Sequence, residues 1–360
     1  MARYTHASID LGALKHNFAA MSSCAPNSKQ VVVVKADAYG NGALAVANCL
    51  RDEADMFAVA FLDEVFELRE AGITQPILVL QGPHQEQECE LSKVLNVVWM
   101  LHVEQQLNWI NKRIANNELD ESHHWVKFDT GMHRLGLMIE DYQQLAEAYP
   151  HIFHKNTVIA THLATADEPD NNASSIAINK FMNVMSQRHD CLSIANSAAN
   201  ICLPDSAKMW NRMGISLYGS SPFENNEVAV LLKPVMQLNS EVIALRTIAA
   251  GESVGYGATW TAKQTSVIAT VAIGYADGYP RHAPIGTPAL FEGKVGTLVG
   301  RVSMDMLTFD VTDIENIEIG TKVELWGKNL PINEVAKKIG TIGYELMTRI
   351  SKRVPRKFVE

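Results

Sequence analysis

The sequence lacks a long hydrophobic run. No stretch approaches the roughly 20 consecutive apolar residues that a membrane-spanning helix requires, so we expect no membrane association. The N-terminal segment MARYTHASIDLGALKHNF also lacks the apolar centre of a signal peptide, because His6, Asp10, Lys15 and His16 interrupt it. A cytoplasmic protein is therefore expected.

Cysteine and basic charge are also scarce. The formal net charge is −9 and the one basic run is SKRVPRK near the C-terminus, so no nucleic-acid surface is expected. The cysteines are odd in number, scattered and without paired metal-ligand spacing, which favours reduced thiols in a reducing compartment and no metal site. The five are Cys24, Cys49, Cys89, Cys191 and Cys202.

The composition is that of a globular protein, with 47% hydrophobic and 20% charged residues, and 360 residues exceed the usual size of one domain. Strand-like runs alternate with helical patterns, which predicts an α/β fold, a compact (β/α)8 barrel of the TIM type. The clearest helix lies near 172–189, where Ile178, Phe181, Met182 and Met185 form a packing stripe. The eight strand-like runs are 31–35, 56–60, 76–80, 95–100, 124–128, 156–161, 191–195 and 208–212.

The pattern changes near residue 230, after which β-rich segments are separated by glycines. Spacing of this kind indicates a separate, mostly β domain. We therefore expect a barrel over residues 1–230 and a second domain over 231–360. A helix pair is expected at 331–350, with Pro331 in the first helical turn.

Lys35 follows a wholly apolar run, VVVV. Such a run is typical of a strand buried on both faces, and the carboxyl ends of these strands carry the chemistry of α/β proteins. Burial lowers the pKa of a lysine, which favours formation of a Schiff base. Taken alone, Lys35 is also consistent with a solvated side chain beyond a core strand.

Further reactive residues follow later strands of the predicted barrel. They sit at the strand ends: Lys127 at the end of the fifth strand, His162 of the sixth, Ser197 of the seventh and Arg212 of the eighth. Because the carboxyl ends of barrel strands share one face, we expect these side chains to converge with Lys35.

Nine segments occur in a single order along nearly the whole chain. They are VVVVKADAYGNG (31–42), KFDTGMHRLG (127–136), THLATAD (161–167), ANSAA (195–199), NRMGISLYG (211–219), GYGATW (255–260), GYADGYPR (274–281), GRVSMDM (300–306) and TIGYELM (341–347). In these segments the sequence resembles the alanine racemase family. The resemblance implies a pyridoxal-phosphate enzyme that interconverts L- and D-alanine by a two-base mechanism and supplies D-alanine for peptidoglycan.

The resemblance implies a role for each cofactor contact. The lysine that matches Lys35 forms the Schiff base, and the guanidinium that matches Arg212 faces the ring nitrogen. Because arginine can only donate there, the nitrogen stays largely unprotonated, and the weaker electron sink favours racemisation over transamination. Taken alone, Ser197 would be consistent with a helix cap, and Tyr39 and Tyr344 with core residues. Arg212 alone would be consistent with a surface ion pair. The groups that match the family's phosphate contacts are Tyr39, Ser197, Tyr344, Gly214 and Ile215.

The resemblance assigns two bases, Lys35 for D-alanine and Tyr256 for L-alanine. A phenol with a pKa of about 10 is a poor base at neutral pH, so nearby cations must lower that pKa. His162 and Arg134 are the candidates. The resemblance implies that His162 contacts Tyr256 and the cofactor, and that Arg134 reaches the cofactor phenolate and the substrate carboxylate. Taken alone, His162 would suit a satisfied polar group beneath a loop.

Lys127 matches a family lysine that is often carbamylated. A carbamate anion would pair with Arg134 and hold it in place. An unmodified Lys127 in an ion pair with Asp129 is the alternative, and both remain open from the sequence.

The β domain is expected to complete the site of the opposite subunit in a homodimer with shared active sites. The substrate-side residues by resemblance are Tyr275, Met304 and Asp305. The residues expected to line the entrance are Asp167, Arg281 and Arg301. The sequence departs from the commonest family pattern at Asn41, usually histidine, at His133, often glycine, and at Ser303, often cysteine.

Three alternatives compete with an alanine racemase. A serine or broad-specificity racemase would use the same chemistry. A non-catalytic pyridoxal-phosphate-binding protein with a single barrel would lack Tyr256 and residues 231–360. A barrel decarboxylase would present an acidic residue, and not Arg212, to the ring nitrogen.

Overall fold

The computed structural model describes residues 3–185, 191–223 and 231–360. Strand β1 (His6–Asp10) leads directly into helix α1 (Leu11–Ser23). The helix begins where the Asp10 carboxylate accepts a hydrogen bond from the backbone N–H of Ala13, at 2.7 Å. This cap satisfies one of the backbone donors that a helix leaves free at its first turn.

A parallel barrel follows. Its strands are β2 (Lys29–Val33), β3 (Met56–Val59), β4 (Ile77–Val79), β5 (Val97–Leu101), β6 (His124–Asp129), β8 (Val158–Ala160), β9 (Leu192–Ser193) and β10 (Trp210–Met213), while β7 (Leu137–Met138) pairs with β6. They neighbour one another in the order β10-β2-β3-β4-β5-β6-β8-β9. Between β9 and β10 the ring is closed by the N–H of Arg212, which donates to the carbonyl oxygen of Ala195 at 3.1 Å. The predicted eight-stranded barrel is confirmed.

Helices cover the outside of the barrel. They are α3 (Ala43–Cys49), α4 (Leu62–Glu70), α5 (Glu104–Ala115), α6 (Tyr142–Ala148), α7 (Ala173–Met185) and α8 (Ser197–Cys202), and a helical turn, α2 (Lys35–Tyr39), follows β2. Helix α7 matches the helix expected at 172–189, of which residues 186–190 lie outside the described part. Phe181 and Met185 are fully buried, and Ile178 and Met182 pack against the same core, so the stripe is a packing face as predicted.

The second domain is an antiparallel sheet followed by a helix pair. Its elements are β11 (Met236–Ile248), β12 (Ser253–Val254), β13 (Trp260–Thr261), β14 (Ser266–Val271), β15 (Pro288–Phe291), β16 (Lys294–Leu298), β17 (Leu307–Asp310), β18 (Lys322–Trp326), α9 (Ile332–Ile339), α10 (Gly343–Arg349) and β19 (Arg356–Val359). The predicted β domain and terminal helix pair are confirmed. Pro331 is the N-cap of α9, one position before the first turn in which we expected it.

The N-terminal strand belongs to the second sheet. Strand β1 pairs with β11 in antiparallel register, Ala7 opposite Leu238, and with β19 in parallel register, Ala7 opposite Arg356. The chain therefore starts in one domain, builds the barrel and returns. The boundary expected after residue 230 adjoins residues 224–230, which lie outside the described part, and stays a prediction. None of the helices in the described ranges is long and apolar enough to cross a membrane.

Candidate active site

Alternate residues on the barrel strands face two different cores. One set, which includes Val31, Val33, Trp125, Ala160 and Trp210, forms a cluster of its own. Their neighbours in sequence belong to the larger core that contains the helices. Since side chains on a strand alternate between two faces, the first set fills the barrel interior and the second packs outward.

Four predicted site residues lie at or just beyond the carboxyl ends of these strands. Lys35 is two residues beyond Val33, Lys127 two beyond Trp125, His162 two beyond Ala160 and Arg212 two beyond Trp210. Period-two alternation directs Lys127 and Arg212, which lie within β6 and β10, into the barrel interior at its carboxyl end. His162 and Lys35 lie beyond the ends of their strands, and the charges of Lys35, Lys127 and Arg212 all act on the pKa of His162.

Arg212 is fixed by its neighbours. Its Nη1 donates to Ser193 Oγ at 2.5 Å, and its Nη2 donates to the carbonyl oxygens of Thr161 at 2.7 Å and Ile194 at 3.1 Å. Burial lowers the pKa of Arg212 to about 10, so the guanidinium remains charged at neutral pH. The surface ion pair that Arg212 alone would suit is not formed, because this side chain is only 7% exposed.

His162 accepts a hydrogen bond from the guanidinium of Arg212. Its Nδ1 lies 3.3 Å from Arg212 Nη2. The pKa of His162 is lowered well below its ordinary value, first by burial and then by the charges of Arg212, Lys127, Arg134 and Lys35. A neutral imidazole keeps one nitrogen as an acceptor, which fits this contact. The surplus of positive charge favours anionic ligands such as a phosphate or a carboxylate.

Lys127 is 9% exposed, and its Nζ donates to the carbonyl oxygen of Leu135 at 2.7 Å. Burial, with help from Arg212 and Arg134, lowers the pKa of Lys127 to about 8. Oδ1 of Asp129 accepts instead from the N–H groups of Gly131 and Met132, at 2.8 and 3.0 Å. In the described ranges Lys127 forms no ion pair with Asp129, and a carbamate at Lys127 stays a prediction.

Lys35 lies at the start of a left-handed turn. The backbone φ angles are 54° at Ala36, 54° at Asp37, 51° at Ala38 and 54° at Tyr39. Each non-glycine residue in this region costs roughly 1–2 kcal/mol, so surrounding contacts must hold the turn. Strand β2 therefore ends before the lysine, and the expected strand over 31–35 is two residues too far along the chain.

The buried side chain of Asn41 and the lack of a side chain at Gly40 both support this turn. Asn41 is fully buried, and its Nδ2 donates to the carbonyl oxygens of Ala38 at 2.9 Å and Tyr39 at 3.2 Å. A Cβ at Gly40 would collide with the carbonyl oxygen of Met347, so only glycine allows α10 to approach. The asparagine that departs from the commonest family pattern is thus part of the support for the turn.

Tyr39, Ser197 and Gly214 converge beside this turn. A Cβ added to Gly214 would lie 3.0 Å from the hydroxyl of Tyr39 and 3.6 Å from Oγ of Ser197. Ser197 Oγ accepts from the N–H of Gly214 at 2.9 Å, which leaves its own proton available for an anion. Burial raises the pKa of Tyr39 to about 12, so its hydroxyl keeps its proton and acts as a donor.

Tyr344 brings the second domain to the same place. Its ring centroid lies 6.1 Å from that of Tyr39. Burial raises the pKa of Tyr344, with smaller contributions from Tyr39 and Asp167. Asp167, expected at the entrance, is therefore within electrostatic reach of the cluster. Ile215, whose backbone N–H is a predicted phosphate contact, directly follows Gly214 and is buried.

The remaining β-domain residues lie on the surface of the single chain. Tyr256 is 71% exposed, Met304 53% and Tyr275 37%. In the described ranges no hydrogen bond or ion pair joins their side chains to Lys35. The residues predicted to hold the cofactor thus lie close together in the single chain, whereas Tyr256, the predicted second base, is exposed.

The residues expected at the entrance and around the substrate carboxylate are also exposed. Asp305 pairs with Arg353 at 2.7 Å, and Nη1 of Arg301 would lie 3.1 Å from a Cβ at Gly257, next to Tyr256. The exposed set consists of Asp167, Arg134, Arg281 and Arg301.

The two remaining departures from the family pattern differ in their surroundings. His133 is exposed and has φ +55°, which explains why glycine suits this position. Nothing in the structure accounts for Ser303.

Two residues of the site were missed from the sequence. Ser193 holds Arg212, and Glu64 accepts a hydrogen bond from the N–H of Ala36. Ser193 lies on β9, the strand next to that of Arg212, two residues before the ANSAA segment begins. This position could have indicated Ser193 from the sequence. Glu64 has no comparable signal, because an acidic residue in the first turn of a helix is ordinary.

Comparisons with known proteins agree over the whole chain. The family model described as the alanine racemase N-terminal domain matches residues 9–222, and that of the C-terminal domain matches 235–358. Alanine racemase of Alteromonas mediterranea is 48% identical over 356 residues, which cover 99% of both chains.

Solved structures give the same result. The crystal structure of biosynthetic alanine racemase from Pseudomonas aeruginosa superposes with a TM-score of 0.93 at 41% identity, covering 99% of this chain and 100% of that one. Alanine racemase from Bartonella henselae, solved with covalently bound pyridoxal phosphate, has a TM-score of 0.90 at 29% identity and covers 99% of both chains. The chain belongs to the alanine racemase family.

Proposed function

We propose that this protein interconverts L- and D-alanine, with pyridoxal phosphate bound covalently through Lys35. The observation that carries the proposal is the convergence of Lys35, Lys127, His162 and Arg212 at the carboxyl end of the barrel, beside a cradle of hydroxyl donors. Membership of the alanine racemase family supports the same activity. We further propose a cytoplasmic homodimer that supplies D-alanine for peptidoglycan.

The residues of the cradle fit the phosphate of this cofactor. Tyr39, Ser197 and Tyr344 would donate hydroxyl protons, and the backbone around Gly214 and Ile215 would supply N–H groups. The gap beside Gly214 is one that a Cβ would fill. When bound, pyridoxal phosphate would supply a carbon that can be joined to the amine of Lys35 or, in its place, to that of alanine, and a ring that weakens the Cα–H bond of the substrate.

The protein's own groups would bind and orient the substrate and move its proton. Arg212 is held by neighbours and stays charged, so it would donate a hydrogen bond to the ring nitrogen without giving up its proton. Arg134 would bind the carboxylate of alanine. Lys35, whose pKa is lowered by burial and by Arg134, would take or return the α-proton on one face.

Tyr256 would act on the opposite face. Because it is 71% exposed in the single chain, we propose that it enters the barrel of the partner subunit, together with Tyr275, Met304 and Asp305. Asp167, Arg281 and Arg301 would line the approach, where mixed charges select small zwitterions.

The test uses purified protein supplied with pyridoxal phosphate. With L-alanine, optical rotation should decay to zero and D-alanine should accumulate to an equal amount. Borohydride reduction followed by peptide mass spectrometry should find the cofactor on Lys35. Lys35→Ala should abolish the label and reduce the rate at least about a hundredfold, the scale of one acid–base group, while Lys29→Ala on the same strand should do neither. A label on another lysine would overturn the assignment.

A further inference from the structure

Glu64 uses both carboxylate oxygens on backbone N–H groups at the mouth of the barrel. Oε1 accepts from Ala36 at 2.6 Å, and Oε2 accepts from Ala60 at 2.7 Å and from Phe61 at 3.3 Å. Ala36 begins the left-handed turn after β2, whereas Ala60 directly follows β3. One side chain of α4 thus joins the carboxyl ends of the first two barrel strands.

The bond to Ala36 acts on Lys35. The N–H of Ala36 belongs to the peptide group whose carbonyl is that of Lys35, so the carboxylate fixes the plane of this peptide. Ala36, on the far side of this peptide, is the first residue of the left-handed turn, with φ 54°. Hydrogen bonds to an ionised acceptor are short and about twice as strong as neutral ones, which suits a position under strain.

Glu64 also changes the charge balance around Lys35. Burial and the positive charge of Arg134 lower the pKa of the lysine, whereas Glu64 raises it. His162 is the remaining group coupled to Lys35, and it is neutral at pH 7 because its pKa is strongly lowered. Among the described residues, Glu64 is thus an anion that opposes the cations around Lys35.

We propose that Glu64 is a positioning residue for Lys35: its carboxylate holds the Lys35–Ala36 peptide, directs the amine and offsets the positive charge around it. Glu64 acts through the backbone and does not touch the substrate. The inference rests on the catalytic role proposed for Lys35.

Three variants separate position from charge. Glu64→Gln keeps the size but loses the charge and one acceptor. Glu64→Asp keeps the charge but is too short to reach both strand ends. Asp63→Asn, at the exposed neighbouring position on α4, is the control because it removes one negative charge and leaves all three bonds.

Two measurements are made on each variant. In holoenzyme, kcat should fall about tenfold to a hundredfold in both Glu64 variants, the scale that misplacement of a reacting group costs, with KM nearly unchanged. In cofactor-free protein, competitive labelling with acetic anhydride, read by mass spectrometry against Lys29, should show a lower pKa of Lys35 in Glu64→Gln alone. Asp63→Asn should match the wild type in both.

Different outcomes overturn different statements. If kcat per folded molecule and the labelling of Lys35 are unchanged in Glu64→Gln, the carboxylate only caps α4 and the proposal is wrong. If Glu64→Gln does not fold, unchanged kcat in Glu64→Asp would be equally decisive. If the wild type fails to racemise alanine while the labelling shift is present, the proposed function fails and the link between Glu64 and Lys35 stands.

Discussion

Ser193 joins Arg212 to the neighbouring strand. Its Oγ accepts a hydrogen bond from Arg212 Nη1 at 2.5 Å and donates one to the carbonyl oxygen of Trp210 at 3.0 Å. With the carbonyls of Thr161 and Ile194 as further partners, the guanidinium has one fixed direction. A donor held this way loses little conformational freedom when it meets a ligand.

Arg212→Glu should change the products as well as the rate. A carboxylate can share or give a proton to the ring nitrogen, whereas arginine cannot, so the ring would withdraw electrons more strongly. We expect slower racemisation and more pyruvate formed from alanine. The measurement is the ratio of D-alanine to pyruvate over time.

Ser193→Ala serves as the control for that experiment. It removes one partner of Arg212 and keeps the charge, so the rate should fall modestly with the product ratio unchanged. An unchanged ratio in Arg212→Glu would show that the guanidinium does not face the ring nitrogen.

Gly214→Ala should weaken binding of pyridoxal phosphate. The new methyl group would lie 3.0 Å from the Tyr39 hydroxyl and would fill part of the cradle. Tyr39→Phe should also weaken binding, through loss of a donor. Removal of the hydroxyl would relieve its contact with the new methyl group. The double variant should therefore bind pyridoxal phosphate more tightly than the sum of the two single-variant effects predicts. Fluorescence titration of cofactor-free protein measures the affinities, and strict additivity would contradict a shared cradle.

Unmodified Lys127 should make stability depend on pH. Its pKa falls from an ordinary 10.5 to about 8 in the folded chain, so between these values only the unfolded chain holds the proton. The free energy of unfolding should therefore rise with pH across this window, by up to roughly 3 kcal/mol at about 1.4 kcal/mol per pKa unit. Urea denaturation in carbon-dioxide-free buffer should show this rise, and Lys127→Met should lack it.

If Lys127 is carbamylated, added bicarbonate should abolish the rise of the free energy of unfolding with pH. A carbamate anion beside Arg212 and Arg134 replaces a repelling cation and should stabilise the protein near neutral pH. Carbon-13 bicarbonate should give a carbamate resonance in the wild type that is missing in Lys127→Met. A resonance that persists in the variant would assign the carbamate elsewhere.

The shared site can be tested by mixing two inactive dimers. Lys35→Ala and Tyr256→Ala should each be nearly inactive, yet a mixed dimer would carry one site with both lesions and one with neither. Activity should return after subunit exchange, toward one working site per heterodimer. If the two residues act within one chain, every site keeps a lesion and exchange of differently tagged chains restores nothing.

The barrel could be predicted because its strands are short apolar runs with regular spacing. The same period of two, applied to Trp125 and Trp210, indicates that Lys127 and Arg212 point inward. The left-handed turn after Lys35 could not be predicted, since Ala36, Asp37 and Ala38 all prefer negative φ and only tertiary contacts hold them.

The pairing of strands that lie far apart in the sequence was the second feature that could not be predicted. Strand β1 is a short segment whose partners, β11 and β19, follow the whole barrel in the sequence, and nothing local indicates them. Tyr256 poses the same difficulty between chains. A single chain shows that Tyr256 is exposed, but it does not show which residues of another chain Tyr256 would contact.

The barrel is topologically an insertion in the second domain. Strand β1 lies between β11 and the edge strand β19, so β19 cannot join the sheet until β1 is in place. During synthesis β1 leaves the ribosome before the barrel, whereas its neighbours β11 and β19 leave after it. Cutting the chain near residue 230 would therefore give two incomplete pieces: a barrel carrying an unpaired strand, and a sheet with an open slot for it.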